Sequence, residues 1–202
     1  MSALPSTSRG RATRERILAA AEAVFAELGF DAASIVKITE RAGIGQGTFY
    51  LYFDGKARVF DEVVDDLNRR VRHAMSEASA GAATRLEAER RGFEGFFRFT
   101  ADHPSLYRII RQAEFVSPGA LRRHYTRIVD GYTQGLTAAR DAGEIGSVDP
   151  EVAAWVLMGI GEMIGMRWVL WGETREVPPA VVDEVMAMIS RALDARPEGE
   201  TP

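Results

Sequence analysis

The sequence predicts an all-α protein, an N-terminal head of three helices followed by a larger helical body, about nine helices in all. Three observations carry this. Apolar residues recur at steps of three and four along nearly the whole chain, which is the helical period. Alternating strand-like runs are absent. No proline occurs from Ser6 through His103, and Pro104, Pro118, Pro150 and Pro178–Pro179 each stand just before an apolar helical pattern, where proline suits the first turn.

The first helix is expected over 12–28, with Ile17, Leu18, Ala21, Val24, Phe25 and Leu28 on one stripe and Gly29 as a left-handed C-cap. Ser34 reads as the N-cap of a second helix ending at Ala42–Gly43. A short third helix takes up Gln46 to Leu51 or Tyr52, and Asp54–Gly55 is a turn signal. A longer helix starts at Lys56, with Phe60, Val63, Val64, Leu67, Val71 and Met75 on one face. Five further patterns follow over 85–101, 104–115, 119–142, 150–171 and 178–195, and the tail from Arg196 reads as loose. The head is assigned to residues 1–55 and the body to 56–202.

Composition narrows the chemistry. The 202 residues include no cysteine, which excludes a disulfide scaffold, a thiol nucleophile, a Cys-ligated zinc site and an iron–sulfur cluster. The three histidines, His73, His103 and His124, share no metal-ligand spacing, and no Ser/His/Asp set stands out, so neither an enzyme nor a metal or cofactor site is expected. No apolar export segment opens the chain. Residues 152–171 are apolar enough to suggest a membrane span, yet Glu162 and Arg167 near the middle would each cost about 2.5–3.5 kcal/mol in a bilayer. A buried helix of a cytoplasmic protein is the better reading. Gly161 and Gly165 within it let another helix approach closely.

The net charge of −4 averages two unlike parts. Residues 1–58 hold 8 basic and 6 acidic side chains for +2, and the remainder is −6. Arg9, Arg11, Arg14 and Arg16 concentrate the positive charge near the start, so an acidic total does not argue against nucleic acid.

Residues 34–53 read SIVKITERAGIGQGTFYLYF, two short helices around a tight turn containing Gly43. That is a helix-turn-helix outline, whose second helix enters the major groove. Gln46, Thr48, Tyr50 and Tyr52 are all hydrogen-bonding types, while Gly45 and Gly47 reduce bulk where the helix start meets phosphate. The longer string Thr13–Leu18, Ala23–Phe25, Leu28–Phe30, Arg41–Ile44, Gly47–Tyr50, Tyr52–Phe53 and Lys56 resembles the DNA-binding domain of the TetR family of bacterial transcription regulators. His103–Arg108 and Arg167–Trp171 are similar to C-terminal features of many members. The chain departs from the usual pattern at Gly45, at Asp54–Gly55 and at Ala57–Val59.

The resemblance implies an N-terminal three-helix helix-turn-helix head on a larger helical ligand-binding and dimerisation body, in a homodimer that binds a palindromic double-stranded DNA operator and is released from it by a small-molecule effector, most members being repressors. By motif position Ser34, Tyr50 and Lys56 are phosphate contacts, Gln46 and Thr48 read base edges, and Gly47 and Tyr52 complete the surface, with Arg9 and Arg11 as a phosphate-tracking arm. In the body Phe93, Phe97, Tyr107, Arg111, Tyr125, Trp155, Met158, Glu162 and Trp168 are candidates to line an effector cavity, although aromatics and methionines at helical spacing also serve as plain core. The expected effector is apolar or aromatic, with room for an acid or acyl group. The last two helices are more apolar than one core needs and are the expected dimer surface. Two other readings stay open: a helical binding protein or enzyme with a vestigial head, and a regulator gated by a protein partner.

Overall fold

The structure is a computed structural model describing residues 8–194. In chain order its helices are α1 (Ser8–Ala32), α2 (Ile35–Ala42), α3 (Gln46–Tyr50), α4 (Lys56–Ser79), α5 (Arg85–Asp102), α6 (Ser105–Val116), α7 (Pro118–Asp141), α8 (Pro150–Gly165) and α9 (Pro179–Ala192), with a π turn at Met166–Leu170 after α8. Among the described residues there is no strand, and the all-α class is as the sequence predicts. The chain packs as two compact units that are discontinuous in sequence. One contains the residues through Leu67 together with Ser105–His124; the other contains Asn68–Pro104 and the chain from Tyr125. Two helices therefore supply residues to both units: α4 crosses the division after Leu67, and α7 crosses it after His124.

In the first unit the stripe on α1 is buried as its spacing requires: Ile17, Ala21 and Phe25 are fully enclosed. Phe25, Phe30 of α1 and Phe60 of α4 form a cluster, with Phe60 edge-on to both others at centroid separations of 5.1 and 5.3 Å. Such contacts add about 0.5–1.5 kcal/mol each beyond the area they bury. Phe49 and Phe53 pack 5.7 Å apart beneath α3. The packing of α6 onto α1 is fixed by polar side chains as well as by Leu106, Ile109 and Ile110. Gln112 accepts the Phe30 N–H and donates to the Phe25 carbonyl, and Ser105 donates to Glu22.

The end of α1 differs from the left-handed cap expected at Gly29. Gly29 has φ 77° and ψ 165°, positive in φ but extended in ψ, so the helix kinks there and resumes to Ala32. Only glycine tolerates that conformation without strain. The start differs too: Arg9 and Arg11 are already helical, and what precedes Ser8 lies outside the described residues, as does the tail from Arg196.

The second unit has one apolar cluster. Phe93 and Phe97 of α5 meet Ile128, Val129, Tyr132 and Leu136 of α7, Ala154 and Leu157 of α8, and Val182, Val185, Met186 and Ile189 of α9. Close approach depends on Gly161: a Cβ there would lie 2.8 Å from Phe93 Cε1. Asp149 caps α8 by accepting from the N–H groups of Glu151 and Val152, and Pro150 occupies the first turn. The continuous helix expected to Trp171 is interrupted. After Gly165 the chain widens into the π turn, closed by Trp171 N–H to the Met166 carbonyl at 3.0 Å. Gly172 makes this possible, because a Cβ there would lie 1.9 Å from the Trp168 carbonyl oxygen. By length and composition Pro150–Leu170 is long and apolar enough to cross a membrane. Ala154, Leu157 and Val169 are enclosed in this cluster, while Val152, Val156 and Met163 of the same segment face outward.

Candidate functional site

The helix-turn-helix is built by local chemistry at each joint. Ser34, extended at φ −139°, accepts the Lys37 N–H and starts α2. Gly43 ends it at φ 65° and ψ 41°. The Gly43 N–H reaches the Glu40 carbonyl and the Ile44 N–H reaches the Thr39 carbonyl, the paired bonds of a Schellman stop. Two residues later α3 begins at Gln46, with Gly45 as an N-cap that has no side chain to offer. Phe49 is fully buried and anchors α3, which turns Gln46, Gly47 and Tyr50 to the exterior.

Beside α3 a cleft of about 440 Å³ is lined by Arg9, Thr13 and Arg16 of α1, Gly43 and Ile44 of the turn, and Thr48 and Tyr52. The structure thus brings Arg9 and Arg16 of the arginine-rich start to Thr48 and Tyr52, with Thr13 between them. Their signal was available: Arg9, Thr13 and Arg16 recur at four and three residues on one helical face. Arg14 is engaged elsewhere, 2.5 Å from Glu62 and 5.6 Å from the Phe53 ring centroid. Arg11 lies outside the cleft lining.

Lys56 has a different setting from the phosphate contact that its motif position implies. Its ammonium donates to the Phe30 carbonyl at 2.7 Å and the Ala33 carbonyl at 3.0 Å, and lies 4.3 Å from the Phe30 ring centroid. These carbonyls at the end of α1 lack helical partners, and a cation there also meets the negative end of the helix dipole. Lys37 donates to the adjacent Ala32 carbonyl at 3.0 Å. Nearby, the hydrogen bond from Arg41 holds the Glu27 carboxyl below its usual range, and Arg41 is raised in return.

The body candidates are dispersed. Phe93 and Phe97 are enclosed in the second unit's core. Tyr107 is buried on α6 and Arg111 is exposed there, both in the first unit. Tyr125 and Glu162 are brought together, the phenol donating to the carboxylate at 2.8 Å. Trp155 is exposed, while Met158 and Trp168 pack against the core. None of these nine lines the polar cavity of about 280 Å³ in the second unit, whose wall includes Arg72, Arg85, Glu89, Arg127 and Tyr132. Glu89 is 1% exposed and is paired with Arg85. Burial pushes its carboxyl above the usual range against the opposing pull of Arg85, and burial with the nearby Glu89 charge pushes the Tyr132 phenol up as well. Among the described residues no group of three acidic or histidine side chains is placed to hold a metal.

A glycine-turned helix pair, a short anchored second helix with polar side chains facing outward, and arginines along the same cleft define a helix-turn-helix DNA-binding regulator. Residues 17–63 match the family model of the bacterial regulatory proteins of the tetR family. The HTH-type transcriptional regulator YdgC of Bacillus subtilis is 42% identical over 65 residues, 32% of this chain and 33% of that one. The match to the regulator YhgD of the same organism is 24% identical over 159 residues, 77% of this chain and 83% of that one. In three dimensions GusR of Salmonella enterica superposes with a TM-score of 0.80 at 22% identity, over 94% of this chain and 99% of that one, which shows the shared fold. Residues 17–63 are thus similar to the DNA-binding domain of the tetR family, and the chain as a whole shares the fold of solved TetR-family regulators.

Proposed function

We propose that the protein is a cytoplasmic transcriptional repressor, not an enzyme, that binds a palindromic duplex operator as a homodimer and leaves it when a small molecule occupies the second unit. The observation that carries the DNA reading is the cleft that sets Arg9 and Arg16 beside Thr48 and Tyr52, next to the outward-facing Gln46. Arginines there supply sequence-independent attraction to phosphates, and Gln46 and Thr48 supply base contacts. Ser34, Gly47 and Tyr50 border the same surface, Tyr50 being half exposed.

The dimer reading rests on the apolar exterior of α8 and α9. Val152, Trp155, Val156 and Met163 of α8 and Met188 of α9 are each at least 45% exposed, and a groove of about 390 Å³ runs between the two helices. A second copy presenting the same strip covers it in a self-complementary way. Release follows if the effector binds better to a conformation whose heads no longer meet successive major grooves.

The test is selection from random duplex DNA with the purified full-length protein. The expected product is a pair of inverted half-sites. Enrichment of no sequence would overturn the repressor reading, and enrichment of a single unrepeated site would overturn the dimer.

A further inference from the structure

Arg14 belongs to the arginine-rich start of α1, yet its side chain leads to α4 and not into the cleft that Arg9, Thr13 and Arg16 line. It follows Thr13 directly and so projects about 100° round the helix from it. Its Nη2 lies 2.5 Å from Glu62 Oε2, and its Cζ lies 5.6 Å from the centroid of the Phe53 ring. Phe53 is buried and packs 5.7 Å from Phe49, the residue that anchors α3. One guanidinium therefore ties α1 both to α4 and to the apolar floor beneath α3.

Glu62 is held in turn. Its other oxygen, Oε1, lies 2.5 Å from Nη2 of Arg58, one turn earlier on α4. Each carboxylate oxygen thus has its own arginine, which fixes the rotation of the group. The Glu62 and Arg14 side chains are sheltered at 21% and 32% exposure, while Arg58, at 58%, is the solvent-facing end of the chain of contacts. Isolated exposed ion pairs add little stability, because water screens them and long side chains lose entropy. A sheltered pair seated on a ring has a different use: it sets where a helix lies. Groups that contact a ligand need such support, since a displacement of about 1 Å spoils their geometry.

We infer that Arg14 and Glu62 are positioning residues for DNA binding, which with the Phe53 ring fix the start of α1 so that Arg9 and Arg16 stand beside Thr48 and Tyr52. Arg14 itself makes no phosphate contact. This role rests on the DNA reading of the same cleft and deepens it.

The sign of one substitution separates position from charge. Glu62→Gln removes a negative charge from a head that meets a polyanion, so electrostatics alone raises DNA affinity. Loss of the support lowers it. Glu15, exposed on α1 and in no ion pair among the described residues, supplies the charge-only control.

The test is fluorescence anisotropy of full-length protein on duplex DNA over a salt series, with melts on the same samples. Arg14→Gln and Glu62→Gln should each weaken binding by about tenfold and lower the salt slope by about 1–2, as Arg9 and Arg16 lose their phosphates. The double variant should bind no more weakly than the weaker single one, because the two side chains act as a unit. Glu15→Gln should bind at least as tightly as the wild type. Glu62→Asp keeps the charge but cannot span both arginines, so it too should weaken binding, and it replaces Glu62→Gln if melts show that variant unfolded. Undiminished affinity in the folded Glu62 variants overturns the inference. So do losses that add in the double variant, which would mark Arg14 as a direct phosphate contact, and losses at unchanged slope that follow the melting temperature. If neither the wild type nor Glu15→Gln binds duplex DNA, the DNA reading falls and this role with it. If both bind and the Arg14 and Glu62 variants match them, this role alone falls.

Discussion

Gln112 Oε1 accepts the backbone N–H of Phe30 at 2.7 Å, closing a contact across 82 residues of sequence. The same amide donates to the Phe25 carbonyl at 3.3 Å, so one side chain bridges the two sides of the kink at Gly29. Gln112→Leu removes both bonds and leaves a part-buried N–H unsatisfied, at a cost of about 1–3 kcal/mol. Urea unfolding should show the midpoint fall; an unchanged midpoint would mean the bridge adds no stability.

Lys56 gives a prediction that separates two roles. Lys56→Met keeps the stem and removes the ammonium from the Phe30 and Ala33 carbonyls. Hydrogen bonds from a charged donor contribute about 1.5–3 kcal/mol, so the melting temperature should drop measurably. The salt dependence of DNA affinity should stay as it was. A slope reduced by about 1 with unchanged stability would instead mark Lys56 as a phosphate contact.

The cleft beside α3 predicts a division of labour. Arg9→Ala and Arg16→Ala should each lower the salt slope of operator binding by about 1 while leaving base preference intact. Gln46→Ala and Thr48→Ala should each cost about 1–3 kcal/mol on the selected operator and relax its sequence at one position, with little change in slope. Fluorescence anisotropy against matched and mismatched duplexes over a salt series distinguishes the two patterns.

Gly161 is predicted to admit no side chain cheaply. Even alanine places its Cβ 2.8 Å from the Phe93 ring, which is itself enclosed by the core. Gly161→Ala should destabilise by about 1–3 kcal/mol, the usual range for overpacking. Combining it with Phe93→Leu, which retracts the clashing ring edge, should cost less than the sum of the separate changes.

Glu87 supplies a pH prediction on the acid side. Its carboxylate accepts the Ala83 N–H at 2.7 Å and pairs with Arg91, and the backbone bond chiefly holds its pKa below the usual 4.5. A depressed pKa contributes stability that is present above the unfolded value and is lost as pH falls through the folded one. The stability difference between the wild type and Glu87→Gln should therefore be full above about pH 5 and shrink below 4.5. A difference constant down to about pH 3 would contradict the assignment.

The helix ends were legible because their chemistry is local. Ser34, Gly43 and Pro150 act within a few residues of where they stand, and each does what its type predicts. The π turn was not legible: it depends on Gly172 letting the Trp168 carbonyl approach, a contact that apolar periodicity does not encode. The partnership of α6 with α1 was equally hidden, since Gln112 in a charged stretch reads as surface until Phe30 is placed beside it. The proposed DNA surface came from motif position, and the cleft groups Arg9 and Arg16 with Thr48 and Tyr52 through the geometry of α1. The cavity escaped notice because Arg72, Arg85 and Glu89 lie in segments rich in charge. Pairing with Arg85 is what allows Glu89 to be buried.

Arginine supplies 23 of the 25 basic residues, and the two lysines, Lys37 and Lys56, both bind carbonyls where α1 meets α2. Every lysine amine in the chain is therefore at one elbow of the DNA-binding head. An amine-selective reagent acting on lysine has a single neighbourhood to label, and its rate reports on whether that elbow is closed. The molecule thus carries a built-in chemical probe of its own head, readable by mass spectrometry with no engineered tag, in the presence or absence of operator DNA.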